Sequence, residues 1–138
     1  MFFSLLSLPE DTEDLSEIID KAGSFLIEIE QYADGLQLFR EAASKFPEVA
    51  EFQEGIGCCA GHKGFIDEAL AAGRRAIELD PHNSAYVSDL GWTLLLAERY
   101  QEAEATLLQA TAMNPSSERA QANLEYCREH ITFRSSRL

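Results

Sequence analysis

Pro47, Pro81 and Pro115 stand 34 residues apart, and two other sets keep the same interval: Gly23, Gly57 and Gly91, and Ala42, Ala76 and Ala110. A fixed period in the thirties is the signature of one supersecondary unit copied in tandem. Such units bury their apolar faces on neighbours of the same kind. The stack then presents an extended surface, suited to holding another chain rather than to enclosing a reaction.

Set in register, the units are Ser16–Val49, Ala50–Asn83 and Ser84–Ser117. Each holds two apolar stripes at helical spacing. In the third, Val87, Leu90, Gly91 and Leu94 fall at i, i+3, i+4 and i+7, and Ala103, Leu107 and Ala110 repeat the pattern. The short polar segment Glu98–Gln101 joins them, which predicts a helix–turn–helix hairpin. Glycine inside a helix costs about 1 kcal/mol against alanine. Its recurrence is expected where two helices cross too closely for a side chain, with Ala42, Ala76 and Ala110 on the partner helix. Each proline follows the second stripe and ends that helix. Asn83 and Ser116 or Ser117 are placed as N-caps of the helices that follow. Residues 117 to about 131 read as a terminal capping helix, with Ala120, Leu124 and Cys127 inward and Arg119, Gln121, Glu125, Arg128 and Glu129 outward. Residues 132–138 read as a flexible tail.

The chain of 138 residues is expected to form a single domain. No apolar run approaches the roughly 18 residues that a membrane span needs. The start, MFFSLLSLPED, has no basic n-region and too short an apolar stretch for a secretory signal. Three cysteines, two of them adjacent, make no disulfide framework, and a reducing cytoplasm is expected. A net charge of −13 argues against nucleic acid. The charge is lopsided: residues 1–54 carry 13 acidic and 3 basic side chains, the remainder 11 and 8. The run Glu10, Asp11, Glu13, Asp14, Glu17, Asp20 is either a solvated acidic face or a docking surface for a basic segment.

The third unit supplies Leu90-Gly91, Leu94, Tyr100, Ala103, Leu107, Ala110 and Pro115; the second Ile56-Gly57, Ala60, Ala69, Ala76 and Asp80-Pro81. The first supplies Ala22-Gly23, Tyr32, Gly35 in place of alanine, Phe39, Ala42 and Pro47. On these residues, Ser16 to Ser117 resembles the tetratricopeptide repeat family. The family's early tryptophan is absent, with Ile19, Gln53 and Val87 in its place. The resemblance implies an all-α fold, a right-handed α-solenoid of three helix–turn–helix hairpins with a capping helix. It also implies that the first helix of each hairpin lines a concave face, through the second, fifth, ninth, twelfth and thirteenth places of each unit. Carried onto this chain, the partner-binding groove comprises Asp20, Ser24 and Ile27, then Glu54, Cys58 and His62, then Ser88, Trp92, Leu95 and Leu96, and Tyr126 and His130 of the cap. One end is acidic and the other apolar, as in a groove for an extended or helical peptide. Trp92 is the expected hot spot, with core packing as its other role. The carboxylate clamp known in some members would use Asp20, Ser24, Gly55, Ala85 and Asp89, none of them basic, so that activity is not expected.

Cys58 and His62 are i, i+4 neighbours, but a structural zinc site needs four ligands, and Cys127 and His130 lie two units away. Neither metal nor cofactor is expected. Cys59, Thr93 and Cys127 share one place in the repeat and read as small buried groups. No phosphate loop, catalytic triad or metalloprotease motif is present. The expectation is a non-catalytic protein-interaction module, adaptor or chaperone-like, that takes a peptide or helix with apolar anchors and some basic residues, and neither nucleic acid nor membrane. Two alternatives stay open. In length, acidity and repeat count the chain resembles bacterial secretion chaperones for translocator clients. A self-assembling structural protein, with Met1–Leu6 packed on another copy, would make a homo-oligomer.

Overall fold

The structure, a computed structural model, describes residues 15–136, with side chains through Phe133. Seven helices follow one another: α1 (Leu15–Glu28), α2 (Tyr32–Lys45), α3 (Ala50–His62), α4 (Ile66–Leu79), α5 (Ser84–Leu96), α6 (Tyr100–Met113) and α7 (Glu118–Ser136). No strand occurs among the described residues. The period is exact in three dimensions. Helices α2, α4 and α6 begin at Tyr32, Ile66 and Tyr100, while α3, α5 and α7 begin at Ala50, Ser84 and Glu118, always one repeat apart. The fold is the all-α repeat expected from the sequence.

Contacts gather the helices into two compact units, one ending at Leu79 and the other beginning at Asp80. The division falls at the junction of the second and third repeats, where each hairpin packs on its neighbours alone. The first unit contains α1–α4 around a core of Leu15 and Ile19, Leu36, Leu38 and Phe39, Phe52, Ile56 and Cys59, with Ala69 and Ala72 of α4. The second contains α5–α7, with Leu94, Leu107, Ala110, Ala120, Leu124 and Cys127 buried. Inward placement of Ala120, Leu124 and Cys127 agrees with the sequence reading.

Two of the three periodic glycines have the steric role that the period predicts. A Cβ on Gly23 would lie 2.0 Å from Phe39 Cζ, and one on Gly91 would lie 2.5 Å from Leu107 Cγ. Phe39 and Leu107 occupy the same place in their repeats, so a large side chain on the second helix fills the notch left on the first. Gly55 completes the arrangement in the first unit, because its Cβ would meet the other end of the Phe39 ring at 2.6 Å. The middle repeat differs. The partner of Gly57 is Gly73, and a Cβ on Gly57 would find only Ala69 O at 3.7 Å and Gly73 N at 3.9 Å. Gly35, where the pattern asks for alanine, is explained by Cys59: a Cβ there would sit 2.9 Å from its sulfur.

Each hairpin turns through one residue with positive φ, at the same place in every repeat: Glu30 (59°), Gly64 (80°) and Glu98 (59°). The residue after it closes the turn by donating its N–H to a carbonyl five residues back, Gln31 to Leu26, Phe65 to Ala60 and Arg99 to Leu94. The sequence reading missed this requirement, since only the middle repeat carries glycine there. Asn83 caps α5, its Oδ1 accepting from Ala85 N at 3.1 Å, and Ser117 Oγ accepts from Ala120 N at 3.2 Å ahead of α7. Helix α7 runs to Ser136, not to about 131. No glycine or proline follows Ile131 to stop it, so the expected tail over 132–136 is helix. Residues 137–138 and the acidic run through Asp14 lie outside the described residues.

These geometries separate the glycines by experiment. Gly23→Ala and Gly91→Ala should each destabilise by about 1–3 kcal/mol through overpacking. Gly57→Ala should be neutral or stabilise by up to about 1 kcal/mol, the helix-propensity difference. Urea midpoints at equal m-values decide it, and equal losses at all three sites would contradict the packing described. At the turns, Glu98→Gly should raise stability by about 0.5–1 kcal/mol, and Gly64→Ala should lower it by about 1 kcal/mol.

Candidate functional site

Each compact unit carries its own set of the residues expected to face a partner. In the first, Asp20, Ser24 and Ile27 lie on α1, and Glu54, Cys58 and His62 lie on α3. Ser24 and His62 are exposed and the other four half-buried. Partial burial first, then the Glu51 carboxylate, push the Asp20 carboxyl above its ordinary range. This end of α1 and α3 therefore holds like charges close together at some expense in stability. Glu17, one turn earlier, is paired with Lys21 at 2.9 Å and held below its usual range by that ammonium.

In the second unit, Trp92 and Leu96 of α5 and Tyr126 of α7 are exposed, with Trp92 at 39 %. The Trp92 and Tyr126 rings meet at 5.8 Å between centroids, tilted by 50°. Tyr126 in turn lies 4.1 Å from the His130 ring. Trp92 is therefore part of a surface aromatic cluster built by two helices. Two residues of the expected set do not share that surface. Ser88 is 3 % exposed, within 3.5 Å of Asn123 Nδ2, and Leu95 is 5 % exposed. The helix pitch accounts for Leu95: it follows Leu94 on the buried side of α5, whereas Leu96 has rotated out. Ser88 is small enough to be enclosed by the approach of α7.

The two histidines of the expected groove, His62 and His130, stack on tyrosines that the sequence reading did not place in the site. Tyr32 and His62 lie face to face at 4.0 Å and 9°; Tyr100 and His130 lie at 5.8 Å and 18°. The pairs are equivalent by repeat, a tyrosine opening one second helix and a histidine at the thirteenth place of the following unit. Each ring also makes the same backbone contact, His62 Nδ1 to Cys58 O at 2.9 Å and His130 Nδ1 to Tyr126 O at 3.0 Å. A carbonyl can only accept, so Nδ1 carries a hydrogen in both contacts. The signal was in the sequence, since Tyr32 and Tyr100, like His62 and His130, are separated by two periods.

Cys58 Sγ stands 3.9 Å from His62 Nδ1, which is already committed to the carbonyl. Cys59 is fully enclosed, and burial pushes its thiol up to about 12, so it is no nucleophile at neutral pH. Burial raises the Cys127 thiol as well. Asp89, at one of the places a carboxylate clamp would use, is paired with Arg119 at 2.6 Å.

The Asp20 shift sets a pH dependence. A carboxyl raised in the folded state opposes folding when ionised, and that opposition fades as pH falls through the carboxylate range. Asp20→Asn should therefore have a higher unfolding midpoint than the wild type at about pH 7, with the gap closing toward about pH 4. Thermal melts at the two pH values measure this, and a gap that is constant or widens on acidification would refute it.

Profiles of the tetratricopeptide repeat family match the chain at residues 22–84 and at residues 63–124. No curated protein matches it. Among solved structures, the Sgt2 TPR domain from Aspergillus fumigatus is 18 % identical, with a TM-score of 0.81 over 88 % of this chain and 82 % of that one. The first TPR of Spaghetti (RPAP3) bound to the HSP90 peptide SRMEEVD is 11 % identical, with a TM-score of 0.79 over 85 % and 93 %. The Yersinia enterocolitica type III secretion translocator chaperone SycD is 19 % identical, with a TM-score of 0.79 over 88 % and 98 %. Matched family profiles from Ala22 to Leu124, an exact repeat in the helices and a shared fold agree: the chain belongs to the tetratricopeptide repeat family.

Proposed function

We propose that this protein is a non-catalytic interaction module that holds a segment of another protein through the aromatic face of α5 and α7. The observation that carries the reading is the surface cluster of Trp92, Tyr126 and Leu96, exposed while Leu94 and Leu95 of α5 and Leu124 and Cys127 of α7 are buried. Tryptophan and tyrosine supply large apolar area with few rotatable bonds, which is why they dominate interface energetics. The partner's chemistry follows from the two faces taken one at a time. The α5/α7 face asks for an apolar anchor. The like-charged pair Asp20 and Glu51 on α1 and α3 would be relieved by a lysine or arginine. The partner segment is thus a peptide or helix with apolar anchors and basic residues.

Peptide capture is what the RPAP3 domain's bound HSP90 peptide illustrates for that protein. The acidic SRMEEVD sequence suits a basic site. Here the corresponding places hold Asp20, Ser24, Gly55, Ala85 and Asp89, which supports a ligand of the opposite charge. The likeness to SycD is one of fold, and no residue of the two faces selects the translocator-chaperone reading over this one. A reducing cytoplasm is the proposed setting, consistent with an odd number of cysteines, two of them adjacent in the sequence.

The test selects ligands from a displayed peptide library with the full chain and measures their affinities calorimetrically. Trp92→Ala and Tyr126→Ala should each weaken the selected peptides by about tenfold or more, as hot-spot truncations do, with far-UV circular dichroism unchanged. Peptides that bind both variants as tightly as wild type would overturn the assignment of this face. A selection enriched in acidic peptides would overturn the proposed partner chemistry.

A further inference from the structure

The rings on the α5/α7 face belong to a longer string. Trp92 of α5 meets Tyr126 of α7 at 5.8 Å, Tyr126 meets His130 at 4.1 Å, and His130 stacks on Tyr100 of α6 at 5.8 Å. Three helices thus contribute four rings to one cluster. The faces of tryptophan and tyrosine rings are electron-rich and attract a cation that comes to lie over them. Leucine and isoleucine would supply apolar area without that field.

The charge around the rings has the complementary sign. Residues 84–133 carry seven acidic and three basic side chains, and no lysine occurs among them. Each of the three arginines is already engaged by a carboxylate: Arg99 with Glu102 at 2.7 Å, Arg119 with Asp89 at 2.6 Å, and Arg128 with Glu104 at 3.4 Å. Glu129 follows Tyr126 by three places, the spacing of neighbours on a helix surface, and so brings a carboxylate beside the ring. The first unit displays the same combination complete. Arg40 sets its guanidinium 6.0 Å from the centroid of the Phe65 ring while its Nε donates to Glu68 Oε2 at 2.8 Å. Ring, carboxylate and arginine satisfy one another there within the chain.

We propose, building on the reading of α5 and α7 as the partner face, that the residue this face takes from the partner is an arginine. Its guanidinium lies flat on Trp92 and Tyr126 beside Glu129, and its apolar stem runs along exposed Leu96. Planarity selects arginine over lysine, methylated or not. The rings touch one another and present a face rather than a hollow. A flat, weakly hydrated guanidinium stacks on such a face, where a compact ammonium keeps its water.

Trp92 is the chain's one tryptophan, so its indole N–H resonance reports this face alone. The probes are three acetylated, amidated tripeptides, leucine-arginine-leucine and its citrulline and lysine counterparts, titrated into the isotopically labelled full chain. The arginine probe should bind about fivefold or more tightly than the lysine probe and than the citrulline probe, its uncharged isostere. Trp92→Leu keeps apolar area at an exposed site, and circular dichroism checks that it folds. In that variant the preference for arginine over citrulline, followed through the backbone amides of α7, should fall to about twofold or less. Equal affinity for arginine and citrulline, a preference undiminished in Trp92→Leu, tighter binding of lysine, or no binding by any probe would each overturn the proposal. Its failure is distinct from failure of the face itself. If library-selected peptides still lose affinity on Trp92→Ala, the face stands and the arginine assignment alone falls.

Discussion

Phe39 is held between two glycines that belong to different helices, its tip against Gly23 of α1 and the base of its ring against Gly55 of α3. Neither glycine can carry a side chain unless the ring moves, and the ring is enclosed by the core of the first unit. Interiors packed to crystal-like density leave no slack for such a move. One aromatic side chain on α2 thus fixes how closely α1 and α3 approach it. The second unit achieves the same end with Leu107 against Gly91. The middle hairpin reverses the logic, bringing Gly57 and the Gly73 backbone together with no side chain between them. The three repeats therefore share a glycine on the first helix and differ in what faces it, namely phenylalanine, glycine and leucine.

With that crossing fixed and the core filled, the exposed positions of the first helices are free of packing duty and can carry recognition. The aromatic cluster on α5 and α7 shows the separation at the scale of one turn: Leu94 and Leu95 are buried while Trp92 and Leu96 are exposed. On α1 and α3 the same freedom is spent on charge. Partial burial and then the Glu51 carboxylate disfavour the ionised form of Asp20. A repulsion left standing on an otherwise well-packed scaffold is the kind of local inconsistency that marks a surface shaped for something outside the chain.

The period, the hairpin boundaries, the helix caps at Asn83 and Ser117 and the inward residues of α7 were legible in the sequence, because each follows from local chemistry repeated at a known interval. The positive φ at Glu30 and Glu98 was not, since glutamate gives no sign of a left-handed turn and only Gly64 does. Burial of Ser88 and Leu95 was equally hidden. A place in a repeat gives the direction of a side chain, whereas burial depends on how near the neighbouring helix comes. The tyrosine–histidine stacks escaped because their partners lie in successive units and at different places within them. The length of α7 was misjudged for a simpler reason: nearness to the chain end suggested a flexible tail where nothing in the backbone chemistry requires the helix to stop.

Fold and specificity meet at Gly55. A carboxylate clamp would need a polar side chain at that place, but any Cβ there would lie 2.6 Å from Phe39. The ring that fixes the helix crossing therefore also forbids that ligand-binding residue. Asp89, at another clamp position, is engaged by Arg119 in an ion pair that supplies its own counter-charge. A chain can thus share the backbone of a peptide-binding domain at 11 % identity and differ from a carboxylate clamp in both packing and charge. Here Phe39 closes the Gly55 place, while the half-buried Asp20 of α1 and the exposed rings of α5 and α7 remain at the surface.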